Sequence, residues 1–205
     1  MTLTRTEAYL STFHDANPGV TSRAFEALPV TCGERAFSST YASLISMLPD
    51  ADADATADAQ PLTVLDLACG DGHLLALLHA SHPDGHLALI GVDLSAGELA
   101  AARARLGEGA ALYRCKAQQL PLASGSVDGV FSHLALMLMD DADGVMRELR
   151  RVLKPGGLFL LTPDGREHLR QRYRLALRPL CSTTGPDGDL QFEERYRQFS
   201  ARVAR

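Results

Sequence analysis

The chain has 205 residues, 46% of them hydrophobic and 22% charged, which is enough for one domain with a buried core. Its formal net charge of −5 argues against a nucleic-acid partner, and no apolar stretch approaches the length of a membrane span. Cys32, Cys69, Cys115 and Cys181 are scattered without metal-ligand spacing and no basic-then-apolar leader stands at the start, so a cytoplasmic protein with reduced thiols and no metal is expected.

Residues 4–15 are expected to be helical, with Leu3, Tyr9, Leu10 and Phe13 on an apolar face. Asn17-Pro18-Gly19 marks a turn, and Val20–Leu28 reads as a second short helix capped by Thr21 or Ser22. A third helix is expected from Arg35 to Leu48, with Phe37, Tyr41, Leu44, Ile45 and Leu48 at helical spacing. Residues 1–49 therefore read as a helical cap, and the Asp- and Ala-rich residues 50–60 as an acidic, solvated linker.

From Pro61 the pattern changes to alternating strands and helices, the mark of an α/β fold with a doubly wound, mostly parallel sheet. Strands are expected at 62–67, 87–93, 111–115, 127–133 and 158–162. Helices are expected at 73–81, 96–106 and 142–153, the last capped by Asp141 or Asp143. This core spans 61–163, and 164–205 reads as a C-terminal helical segment: a helix over 165–178, a Gly/Pro-rich loop at 182–189 and a polar helix to the end.

The run Val64-Leu65-Asp66-Leu67-Ala68-Cys69-Gly70-Asp71-Gly72-His73-Leu74-Leu75 passes from strand through a Gly-rich turn into a helix, the order of a nucleotide-binding βα unit. The glycines permit a tight turn and leave no Cβ between main chain and ligand, while N–H groups at the helix start face that ligand. A dinucleotide fingerprint requires a third glycine three positions after the second, where Leu75 stands. Asp71, between the two glycines, would repel a pyrophosphate. Asp66 at the strand end suits a ligand bearing an ammonium group. S-adenosylmethionine carries an ammonium and a sulfonium and no phosphate, so it fits these residues better than NAD.

This segment resembles motif I of the class I (Rossmann-like) S-adenosylmethionine-dependent methyltransferases of the type 11-like kind, an acid followed by Gly-x-Gly-x-Gly, with Ala68 in place of the first glycine. Asp93 ends the second core strand, 21 residues after Gly72, where a carboxylate accepts hydrogen bonds from both ribose hydroxyls of an adenosine. Leu94 beside it matches the family's apolar residue on the adenine face. Cys115–Leu122 resembles the family's Asp-Ala-x-x-Leu-Pro-Phe loop, but Lys116 stands where that Asp contacts the adenine amino group. A lysine cannot accept that hydrogen bond, so adenine contacts are expected at Ala117 and Gln118. Ser126–Leu136 resembles the fourth motif, and Arg151-Val152-Leu153-Lys154-Pro155-Gly156-Gly157 matches the family's turn into the fifth strand.

The resemblance covers about residues 62–163. It implies a methyltransferase acting on an O, N, C or S atom of a small, biosynthetic molecule, with S-adenosylmethionine as cofactor and S-adenosylhomocysteine as product. The implied cofactor-binding residues are Asp66, Ala68, Cys69, Gly70, Gly72, Asp93, Leu94, Ala117, Gln118 and Ser132. His133, at the end of the fourth strand, reads as a general base or a substrate contact, with Tyr9, His14 and Tyr41 as further candidate bases. The cap helices are implied to cover the cofactor and shape the substrate pocket. The family's sheet closes with an antiparallel hairpin, and no pair of β-branched runs for one is visible here. That sheet edge is expected to need cover from a helix, a second copy of the chain or another partner.

Two other readings compete: a non-catalytic or partner-dependent cofactor-binding module, and an NAD-dependent oxidoreductase. Three clusters are read as structural. His79, His82 and His86 fall in a helix-to-strand return, Asp140, Asp141 and Asp143 at a helix start, and Arg166, Arg170, Arg172, Arg174 and Arg178 on a late helix.

Overall fold

The computed structural model describes residues 2–32, 34–48, 60–83, 85–162 and 199–202. The N-terminal part contains α1 (Arg5–Ala16), α2 (Val20–Phe25), a hairpin of β1 (Val30–Cys32) and β2 (Arg35–Phe37), and α3 (Thr40–Ile45). The core follows as β3 (Leu62–Leu67), α4 (His73–Ser81), β4 (Leu87–Asp93), α5 (Ala96–Leu106), β5 (Ala111–Arg114) and β6 (Val127–His133). A 3-10 turn at Leu136–Leu138, α6 (Ala142–Val152), β7 (Leu153–Thr162) and β8 (Phe199–Arg202) complete it.

The large sheet has the order β5-β4-β3-β6-β7-β8. Its first five strands are parallel, and β8 runs antiparallel to β7. The chain winds outward from β3 in one direction through β4 and β5, then returns to the other side of β3 with β6. This reversal opens a crevice beyond the carboxyl ends of the central strands, the usual ligand position in such sheets.

The strands are buried on both faces. Leu65, Leu67, Val130 and Phe159 pack on one side with Met146 and Leu149 of α6. Val64, Phe131 and Leu160 pack on the other with Leu74, Leu75 and Leu78 of α4 and with Tyr41 and Leu44 of α3. The period of two puts Asp66 on the second face, continuing the row of Val64. Burying each large apolar side chain contributes about 1.5–3 kcal/mol.

The core strands and helices lie close to their expected bounds, and the differences are local. The expected 35–48 helix is a hairpin plus a short helix, because β-branched Val30 and Thr31 pair across to Phe37 and Ala36. α2 follows Gly19, which is left-handed (φ 73°), and no side chain caps it; Ser22 Oγ donates to the Gly19 carbonyl and to Asp71. The Lys154-Pro155-Gly156-Gly157 stretch lies within β7 at an irregularity opposite Val127–Gly129, with Gly156 at φ 82°.

The expectation of helix to the end of the chain fails at Phe199–Arg202. There a strand pairs with Leu158–Leu161 and covers the edge of β7. All of the 50–60 linker but its last residue, the 165–178 helix with its arginines, and the 182–189 loop lie outside the described residues. Among the described residues no helix is long and apolar enough to cross a membrane.

Candidate functional site

A cavity lies beyond the ends of β3, β4 and β6 and is roofed by α1 and α2. Of the residues read from sequence, Asp66, Ala68, Cys69, Gly70, Asp93, Leu94, Ala117, Gln118, His14 and His133 line it. Gly72 sits just behind the loop, as the residue before α4. Two others lie outside the lining. Ser132 is buried but outside the lining, since alternation along β6 turns it away from the face that His133 uses. Tyr9 is 68% exposed on the outer side of α1, stacked on Phe13.

The loop after β3 holds three left-handed residues, Ala68 (φ 62°), Gly70 (φ 53°) and Gly72 (φ 75°). At Gly72 a side chain is excluded by space as well as by φ, because a Cβ would lie 2.8 Å from Leu106 Cδ1 and 3.1 Å from Ala102 Cβ. No side chain caps α4, so the first-turn N–H groups are available to an anionic group of a ligand. Leu75, where a dinucleotide loop has glycine, is fully buried.

Acids crowd the cavity. Asp66 is 2% exposed, and no described residue donates a hydrogen bond to its carboxyl. Burial, then the charges of Asp93 and Asp71, push it up to about 8. Asp93 is held more firmly: its Oδ2 accepts the Gly70 N–H at 2.9 Å and its Oδ1 the Ser95 N–H at 2.8 Å. Burial raises its pKa, and these two bonds act against that. Each oxygen keeps room for one more donor. Asp71 is paired with the Arg105 guanidinium and accepts from Ser22 Oγ at 2.7 Å. Its charge is therefore compensated, and the case against a pyrophosphate ligand rests on Leu75 and Asp66 instead.

The roof keeps Leu10 on the inner face, as expected, but not Tyr9 and Phe13. α1 turns Glu7, Ser11 and His14 toward the cavity and leaves Tyr9 and Phe13 outside. Its polar groups bind the core one by one. Asp15 Oδ1 accepts from Ser95 Oγ at 2.7 Å and from the Gly97 N–H at 2.9 Å. His14 Nδ1 lies 2.9 Å from Glu98 Oε1, and Glu98 Oε2 accepts the Gly19 N–H at 2.8 Å. Glu7 meets Lys116 at 2.7 Å. The only advance sign of Glu7 and Glu98 was the helix-start pattern: Glu7 closes a capping box with Thr4, and Glu98 stands three residues after Ser95.

His133 stacks on Tyr41, with ring centroids 3.7 Å apart, and meets Phe25 edge-on at 5.9 Å. Its Nε2 is 2.8 Å from Thr40 Oγ1, and its buried Nδ1 has no partner among the described residues. Burial, then the charge of His73, pushes its pKa down to about 3. The ring is neutral at physiological pH and accepts a proton reluctantly. His14 is the reverse: the Glu98 hydrogen bond raises it against desolvation, so it favours the protonated form.

The other clusters behave structurally. His82 Nδ1 lies 3.0 Å from Ser81 Oγ at the end of α4, and neither His79, His82 nor His86 lines the cavity. Asp141 caps α6 through the Gly144 N–H at 3.0 Å. Asp128 holds Lys154 at 2.7 Å and the Thr63 N–H at 2.9 Å, away from the cavity.

Residues 65–161 match the model of a methyltransferase domain family. That segment is just under half of the chain, and the fold is shared with a Methanococcus maripaludis protein described as an S-adenosyl-L-methionine-dependent methyltransferase, at a TM-score of 0.59 and 13% identity over 72% of this chain and 78% of that one. Among curated proteins, it is 36% identical over 126 residues to the malonyl-(acyl-carrier protein) O-methyltransferase of Laribacter hongkongensis, covering 55% of this chain and 42% of that one. It is 41% identical over 95 residues to the ubiquinone/menaquinone biosynthesis C-methyltransferase UbiE of Desulfotalea psychrophila, covering 46% and 38%. These alignments span about two fifths of either relative. Among solved structures, a Haloferax volcanii complex of a methyltransferase activator with a methyltransferase matches the fold at a TM-score of 0.60 and 21% identity, over 87% of this chain and 76% of that one.

Proposed function

We propose that the protein is an S-adenosylmethionine-dependent methyltransferase that methylates an O, N, C or S atom of a small biosynthetic molecule, in the free state or carried on another protein. One observation carries this reading: Asp66 is a buried carboxyl with no donor among the described residues, on the wall of a cavity that also holds Asp93. An unpaired buried carboxyl is costly, and an arriving cation relieves the cost. The cofactor supplies an electrophilic methyl group on a sulfonium.

The chain's own residues do the holding. Asp66 faces the ammonium, and the uncapped first turn of α4 receives the carboxylate. Asp93, fixed by Gly70 and Ser95, accepts the ribose hydroxyls. Leu94, Ala117 and Gln118 enclose the base. Ala68, Cys69 and Gly70 line the passage between these points, and Gly72 lets the loop pack against α5. Leu10, Tyr41, Leu138 and Met139 exclude water around the acceptor. His133 is a contact for the acceptor rather than its base, because its neutral form is so strongly favoured. Positioning of this kind is worth roughly 7–11 kcal/mol of barrier in favourable cases. The relatives' names support a biosynthetic acceptor, and the free thiols of Cys69 and Cys115 support a reducing compartment such as the cytoplasm.

Calorimetric titration with S-adenosylhomocysteine tests the reading, with NAD as comparator and Asp93→Ala as control. Micromolar binding, about −8 kcal/mol, that vanishes in the variant and is absent for NAD is the expected outcome. Equal binding of NAD, or no binding of either compound, overturns it.

A further inference from the structure

Lys116 departs from the family pattern by removing a hydrogen-bond acceptor. The structure puts a carboxylate back at that place, from the other end of the chain. Glu7 of α1 is 6% exposed and lines the cavity beside Lys116, Ala117 and Gln118. Its two oxygens differ. Oε2 accepts the Thr4 N–H at 2.9 Å and pairs with Lys116 Nζ at 2.7 Å. Among the described residues Oε1 has a single 3.5 Å contact, from Gln118 Nε2, and that amide gives its shorter bond to the Asp140 carbonyl. A buried carboxylate oxygen with so weak a donor has hydrogen-bonding capacity to spare.

The sheet says what kind of donor reaches it. β5 lies beside β4 with Arg114 opposite Asp93, so residues 115–118 leave the sheet next to Asp93. A nucleoside whose ribose is held at Asp93 directs its base toward this segment, or back toward the loop after β3, where the cofactor's amino-acid end belongs. The base therefore lies at 115–118, under Glu7.

We propose that Glu7 Oε1 accepts a hydrogen bond from the exocyclic amino group of the bound adenine, while Oε2 is anchored by the Thr4 N–H and by Lys116. The inference rests on the cofactor reading above. It makes the cap a part of base recognition. A 6-aminopurine is accepted, and a 6-oxopurine, which sets a carbonyl oxygen against the carboxylate, is rejected.

The test is competition between S-adenosylhomocysteine and S-inosylhomocysteine, titrated into the full chain and two variants. Wild type is expected to prefer the adenine compound by about ten- to a hundredfold, the scale of one charged hydrogen bond. Glu7→Gln keeps the capping box, which tolerates glutamine at this position, and is expected to reduce the preference to about threefold or less. Lys116→Met breaks the same ion pair but leaves the acceptor, still anchored by the Thr4 N–H, so it is expected to keep the preference. An unchanged preference in Glu7→Gln, or its equal loss in both variants, overturns the direct contact while leaving the cofactor reading intact. Failure of wild type to bind either compound overturns both.

Discussion

His14 and Glu98 are joined across the roof of the cavity at 2.9 Å, and Glu98 also holds the Gly19 N–H, so one buried carboxylate fastens both α1 and α2 to the core. The histidine's pKa is raised in the folded state, above the ordinary 6.5. Its contribution to stability is therefore complete below 6.5 and fades as pH rises through the folded-state value. Melting temperature is expected to fall over that range in wild type and to fall less in Glu98→Gln. Asp66 adds a decline of its own to both proteins, so the difference between the two profiles is the readout. Parallel profiles would show that the pair contributes nothing.

A second prediction concerns protons. Asp66 is pushed up to about 8, so it is mostly protonated in the free protein near neutrality. If a ligand's ammonium settles against it, the carboxyl ionises and about one proton leaves at pH 7. Titration of S-adenosylhomocysteine in two buffers of different ionisation enthalpy measures the release. Asp66→Asn is expected to abolish it and to weaken binding at least tenfold, about 1.4 kcal/mol. A release equal in wild type and variant would assign the proton to another group.

The nucleotide loop offers a contrast between two neighbours. Ala68 is left-handed at φ 62°, a conformation that costs an L-residue roughly 1–2 kcal/mol. Ala68→Gly relieves that strain and gives back part of the gain as unfolded-state entropy, for a net stabilisation of about 0.5–1 kcal/mol. Gly72→Ala does the opposite: its Cβ meets Leu106 and Ala102, and a loss of about 1–3 kcal/mol is expected. Urea unfolding of both variants checks the pair. A loss in Ala68→Gly would contradict the strained loop.

Tyr9 provides the negative control for the cap. It is 68% exposed and outside the cavity, so Tyr9→Ser should change stability by no more than about 0.5 kcal/mol and leave S-adenosylhomocysteine binding unaltered. A large loss of binding would return the residue to the site.

The core was legible because each of its elements is locally consistent. Leu62–Leu67 and Val127–His133 are apolar runs ending at polar residues, and the Gly-rich turn between Leu67 and His73 has few other uses. The cap was not legible. Its helix α1 was read by the rule that apolar residues face inward, whereas the cavity it covers is lined with charge, so Glu7, Ser11 and His14 face in and Tyr9 and Phe13 face out. Pairs such as Glu7–Lys116 and Ser22–Asp71 join residues 109 and 49 positions apart, and nothing in a local window announces them. The hairpin at Val30–Phe37 was hidden because Phe37, Tyr41 and Leu44 also satisfy a helical period.

The protein has no tryptophan and five tyrosines. Tyr9 and Tyr113 are solvent-facing, whereas Tyr41 is buried against the His133 ring on the cavity wall. The near-ultraviolet signal of the native chain therefore contains a tyrosine chromophore already set beside the proposed methyl-acceptor position. Occupancy of the cavity should be readable by circular dichroism or by tyrosine emission without any label, and acceptors too weak for calorimetry become accessible to a simple optical screen.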